Sequence, residues 1–111
     1  MAVLYITELD TLGTPTEGGS APIAHLPPIA EQTLAIAGSS GQSSAFNTAT
    51  RFIRVETDAV CAIAVGPNPT AQTSSGTATG ASAIGTARLA AGDREYFAVT
   101  GGHKIAVIST T

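Results

Sequence analysis

Apolar residues in this chain alternate with polar or small ones and never settle into helical spacing. In Arg51-Phe-Ile-Arg-Val-Glu-Thr57, Phe52, Arg54 and Glu56 share one face while Ile53, Val55 and Thr57 share the other. That period of two marks a half-buried strand. After Asp58-Ala59 a second run, Val60-Cys-Ala-Ile-Ala-Val-Gly66, puts Cys61, Ile63 and Val65 on one side and only Val60, Ala62 and Ala64 on the other. The same design recurs as Arg94–Thr100, a turn at Gly101-Gly102, and His103–Ser109. Both units read as β-hairpins. The alanine side of 60–66 implies that something packs closely there, either a neighbouring subunit or the chain's own loops.

Three shorter strands are expected. Residues 2–7 carry β-branched and aromatic side chains with no breaker. Glu31–Ala37 alternates, with Leu34 and Ile36 on one face. Thr86–Ala91 is brief and ends at a Gly92-Asp93 turn. The segment 10–29 is a loop followed by a proline-rich extended arm. Its Pro22, Pro27 and Pro28 cannot donate to a ladder and exclude a central strand. Gly38–Ser44 reads as a flexible connection, and Phe46 as a plug at the end of the fold. From 67 to 85 the chain is low in complexity, a flexible loop beginning at Pro67-Asn-Pro69. Together these elements predict one all-β domain over 1–111. It is a compact β-sandwich, with the jelly roll as a candidate topology, long Gly/Ser/Thr loops and an extended Pro-rich arm.

Composition narrows the function. Charged residues make up 12% of the 111, about half the roughly 25% usual in soluble domains. Such a surface suits a protein that works packed against another. Five basic residues stand scattered in a net charge of −3, with no cluster to neutralise several phosphates or meet an anionic membrane. No apolar run approaches the ~20 residues of a membrane helix. The first eight residues lack a basic n-region and a long h-region, so they read as a strand rather than a signal peptide. A single cysteine, Cys61, rules out an intrachain disulfide and points to synthesis in a reducing cytoplasm. Inside an apolar strand it is expected to be a buried, inert thiol.

Candidate chemistry is sparse. The carboxylate pairs Glu56/Asp58 and Asp93/Glu95 sit at strand ends, where solvated charge is the usual occupant, rather than across a cleft. His25 and His103 have no Cys or His at metal-ligand spacing. The glycine-rich stretches lack the lysine and following helix of a phosphate cradle, and no nucleophile elbow or dinucleotide fingerprint occurs. The expectation is a protein that is not an enzyme and takes no cofactor and no metal.

The residues Ala30-Glu-Gln-Thr33, Phe52–Ala59, Cys61–Gly66, Pro69-Thr-Ala71, Ala91-Gly92, Glu95-Tyr-Phe97 and His103–Ile108 form a pattern over roughly 28–109. It resembles the small head decoration, or cement, proteins of tailed bacteriophages. The resemblance implies a non-enzymatic virion protein on the capsid surface, made in the host cytoplasm. Its partners would be the major capsid protein and copies of itself, with a trimer favoured over a dimer. Expected contact residues are Pro22, Pro27, Pro28, Arg51, Arg54, Arg88 and Tyr96, with the alanine-faced strand 60–66 and the edge at 21–29 between subunits. A phage tail or head–tail accessory subunit is the alternative within that class. A small carbohydrate-binding module with an exposed tyrosine is the alternative outside it.

Overall fold

The computed structural model describes residues 2–11, 26–73, 84–85 and 87–110. Pro22, His25 and most of the proline-rich arm lie outside the described residues, as does the middle of the 67–85 segment. Among the described residues no helix occurs, and the strands are β1 (Val3–Leu9), β2 (Ala30–Ala35), β3 (Gly41–Gln42), β4 (Phe52–Thr57), β5 (Cys61–Gly66), β6 (Thr70–Ala71), β7 (Ile84–Gly85), β8 (Ala87–Leu89), β9 (Arg94–Ala98) and β10 (Lys104–Ser109). They form two four-stranded antiparallel sheets, ordered β2-β1-β4-β9 and β3-β10-β5-β8, and a short parallel pair, β6-β7.

The two units expected as hairpins are not hairpins. β4 pairs with β9 and β1, while β5 pairs with β10 and β8, so the halves of each unit lie in different sheets. Two-residue hairpin loops need φ above zero at one or both central positions, which glycine or asparagine supplies; Asp58-Ala59 has neither. A side chain makes the corner instead. The Thr57 hydroxyl donates to the Ala59 carbonyl at 2.7 Å and accepts from the Ala59 N–H at 3.2 Å. At the second corner a Cβ on Gly101 would collide with the Thr48 backbone, and Gly102 has φ +85°. Folding each unit over on itself turns its apolar row inward. Ile53 and Val55 of β4, Cys61 and Ile63 of β5, and Ile105 and Val107 of β10 meet Leu4, Ile6 and Leu89 in one cluster. Complete burial of each large aliphatic in that cluster stabilises by roughly 1.5–3 kcal/mol.

The pairings follow one rule. β2 lies beside β1, β3 beside β10, β4 beside β9, and β5 beside β8. These are rungs of a single antiparallel ribbon that changes sheet at every step. At the open end the first and last strands flank one point: Ile36 N–H donates to the Ala2 carbonyl at 3.0 Å and Ser109 N–H to the Ala37 carbonyl at 2.8 Å. Phe46 is buried in the core cluster, in the crossover between β3 and β4. Its N–H donates to the His103 carbonyl at 2.7 Å.

The alanine side of β5 is covered by the chain itself. Ala62 and Ala106 are fully buried and Ala64 is 6% exposed, although they face away from the main core. The parallel pair β6-β7 lies against β5, and β6 also against β10. Gln42 ties the segment down by donating to the Pro69 carbonyl at 2.8 Å and to Asn68 Oδ1 at 2.9 Å. Ala71 N–H donates to Ser40 Oγ at 2.9 Å. The expectation that 60–66 is a subunit contact is therefore corrected: small residues are needed there because β6 packs on them. The start of the 67–85 segment is likewise packed rather than free, with Pro69 and Ala71 buried.

Candidate functional site: the outer face of the first sheet

Antiparallel register assembles a surface from four strands distant in sequence. On the outward face of the first sheet, one row runs Thr33, Tyr5, Glu56, Arg94 and the next Glu31, Thr7, Arg54, Tyr96. Alternation sends the neighbouring Leu4, Ile6, Ile53 and Val55 to the core. A third row adds Leu9, Phe52 and Ala98.

The face carries two shallow hollows that share Thr7, Glu31 and Arg54. One, of about 480 Å³, adds Tyr5, Gln32, Thr33 and Glu56. The other, of about 330 Å³, adds Leu9, Leu26, Pro28 and Tyr96. Tyr5 is 44% exposed, Leu26 66% and Tyr96 53%, and these are the exposed large hydrophobic residues among the described residues. All three lie here. The Tyr96 ring leans on Phe52 with centroids 6.4 Å apart and planes tilted by 43°, a geometry favourable for aromatic pairs.

Charge on the face is organised. Arg94 Nε donates to Glu56 Oε2 at 2.7 Å, the ion pair found among the described residues. Arg54 is half-buried and carries no ion pair or hydrogen bond among the described residues. Glu56, two residues along the same strand, is held by Arg94, and Glu31 sits two strands away, roughly 10 Å at the usual strand spacing. A guanidinium with no partner among the described residues, beside two exposed tyrosines, is the kind of group that becomes a binding anchor when water is excluded.

A buried carboxylate holds the floor from behind. Glu8, 3% exposed, accepts from the Asn47 N–H at 2.7 Å, the Thr50 hydroxyl at 2.8 Å and the Gln32 side-chain amide at 3.1 Å. It fastens β1 to β2 and to the crossover that precedes β4. The Gln32 amide also joins Ser44 through both its oxygen and its nitrogen.

The expected contact residues divide. Pro28, Arg54 and Tyr96 come together in the second hollow. Pro27 is exposed next to it, joined to Leu26 by a cis peptide bond. Arg51 is exposed at the entrance to β4. Arg88 belongs to the other sheet, in a separate hollow with Val60, Leu89, Ala90 and Asp93. Pro22 lies outside the described residues. Sequence reasoning missed Tyr5, Leu26, Thr7 and Glu31 as members of this face; the outward position of Tyr5 in the 2–7 alternation was the one available signal. Two of the carboxylates weighed for catalysis have other partners. Glu56 binds Arg94, and Asp93 Oδ2 accepts from the Ala90 N–H at 2.8 Å, closing the turn before β9. His103 sits at the corner that leads into β10. Cys61 is buried, and desolvation raises its thiol pKa above the ordinary value; the Thr57 hydrogen bond lowers it and the Asp93 charge raises it to smaller extents.

No family model, no curated protein and no solved structure matches this chain.

Proposed function

We propose that this chain is a structural protein of a bacteriophage particle, a head decoration protein whose first-sheet outer face seats on the major capsid protein. The observation that carries the reading is the gathering of Tyr5, Leu26 and Tyr96 on one face, around Arg54, which has no ion-pair partner among the described residues. A small exposed patch of aromatic and arginine anchors, ringed by Glu31, Thr33 and Glu56, has the make-up of a docking surface. The resemblance over 28–109 supplies the kind of partner. Arg51 and Arg54 would meet acidic groups on the capsid, with Pro27 and Pro28 at the rim. Arg88, on the other sheet, would serve a different contact.

The strand order supports the finer fold reading. A ribbon of four rungs, β2/β1, β3/β10, β4/β9 and β5/β8, that alternates between two sheets is the plan of a jelly-roll sandwich. In this chain the strand beside β2 comes from the front of the sequence instead of following β10. Cement action needs no catalysis. A protein that binds only the mature shell stabilises it by RT ln(1 + [L]/Kd) per site, and copies linked to one another add avidity across the lattice.

The test is to titrate wild type, Arg54→Glu and Tyr96→Ala onto purified expanded heads that lack the protein. Loss of an interface anchor of at least ~2 kcal/mol should weaken binding about 30-fold. Equal binding by all three chains overturns this face as the docking surface. The hollows between Tyr5 and Tyr96 also suit the second reading, a carbohydrate-binding module; there a glycan would raise the melting temperature and Tyr96→Ala would abolish the shift.

A further inference from the structure

Among the described residues, the hydrogen-bond ladder leaves the β9 edge open in a way that suits a second copy of this chain. In antiparallel pairs, successive residues turn their backbone groups alternately toward and away from the neighbour. The bonds from the Thr57 N–H to the Asp93 carbonyl at 3.1 Å and from the Val99 N–H to the Arg51 carbonyl at 3.0 Å fix the phase along β4 and β9. Asp93, Glu95, Phe97 and Val99 therefore face β4, while Arg94, Tyr96 and Ala98 turn their N–H and C=O groups outward. No described residue bonds to them. β9 is the end strand of its sheet.

The other edges are less suited. β3 and β8 have two and three residues, too short to template a ladder. β2, the other long edge, follows Pro27-Pro28 and carries the exposed charge of Glu31, both of which discourage pairing at an edge. β9 has five residues, no proline, no lysine and no bulge in its register.

We propose that β9 pairs with β9 of a second copy about a two-fold axis through Tyr96. Centred there, Tyr96 exchanges both backbone bonds with its counterpart, and Arg94 exchanges both with Ala98 of the second copy, so all three outward residues are satisfied at once. The side chains accept this register. Each arginine faces an alanine and keeps its Glu56 partner, and the two guanidinium groups stand roughly 13 Å apart along the strand, beyond a Debye length of about 8 Å. The tyrosines face each other across the axis, a favourable cross-strand pair. A β9–β2 pairing would be head-to-tail and would propagate, whereas β9–β9 closes at two copies. The product is one continuous eight-stranded sheet with Tyr5, Leu26 and Arg54 presented twice on the same side. The inference stands on backbone geometry and does not require the capsid reading.

Sedimentation velocity over a range of concentrations, with amide hydrogen exchange on the same samples, tests it. The full chain is expected to form a dimer in which the amides of Arg94, Tyr96 and Ala98 exchange at least about tenfold more slowly than in the dilute monomer. Ala98→Lys puts a cation opposite Arg94 of the second copy and should give a monomer with an unchanged melting curve. Ala98→Pro removes a donor used only between copies and should do the same if folded, as edge positions tolerate proline. A chain that stays monomeric, a trimer or longer array, or a dimer whose three edge amides exchange freely would each overturn the proposal.

Discussion

Glu8 shows how much a single side chain can decide. Its carboxylate satisfies a backbone N–H, a hydroxyl and an amide while 97% shielded from solvent. Glu8→Ala would strand those donors, and hydrogen bonds to a charged group are each worth about 1.5–3 kcal/mol. The expected loss is about 3 kcal/mol in urea unfolding, read as a lower midpoint at unchanged slope. Cys61 gives the second test at this scale. Its thiol should resist iodoacetamide in the native protein and react fully in urea. Because burial raises the folded pKa, the protonated thiol favours the folded state. That contribution is complete below the thiol's ordinary value of 9.0 and falls as pH rises through it toward the higher folded value. Unfolding midpoints measured across the alkaline range should decline accordingly. The burial of the thiol was readable from its apolar strand. The role of Glu8 was not, since its partners lie 24 to 42 positions along the chain.

At the scale of elements, the alternation of residues placed most strands but could not say which strands pair. A strand with one apolar face looks the same in a hairpin as in a corner that crosses between sheets. The difference sits in the connection, where Thr57 and the Gly101-Gly102 pair form corners. Gly101→Ala should prove costly because the new methyl meets the Thr48 backbone; overpacking of this kind costs typically 1–3 kcal/mol. Thermal melting of that variant beside Gly38→Ala, where a Cβ meets nothing within 4 Å, isolates the effect. The covered alanine face makes a parallel case. Ala64→Leu should destabilise by a similar amount, because β6 leaves no room for three more carbons. A neutral Ala64→Leu would mean that this face is open. The cue for self-coverage was the unusual row of alanines, which shows that something packs there without naming it.

Across the whole molecule, one ribbon wrapped into two sheets creates a face that no local segment contains. Tyr5 and Tyr96 are 91 positions apart in sequence, yet β4 alone separates their strands along the sheet. The resemblance to decoration proteins and the charge-poor composition pointed toward an assembly role, and the register of β2-β1-β4-β9 supplies a surface for it. Salt should weaken a docking step that uses Arg54 only modestly, because the apolar groups around it are indifferent to screening. The direct test of the proposed decoration role is cryo-electron microscopy of phage particles purified from cells that express this chain. The expected map has the protein on the outer capsid surface, with Tyr5, Leu26, Arg54 and Tyr96 turned toward the major capsid protein. Particles that lack the chain, or that carry it with this face turned to solvent, would contradict the account.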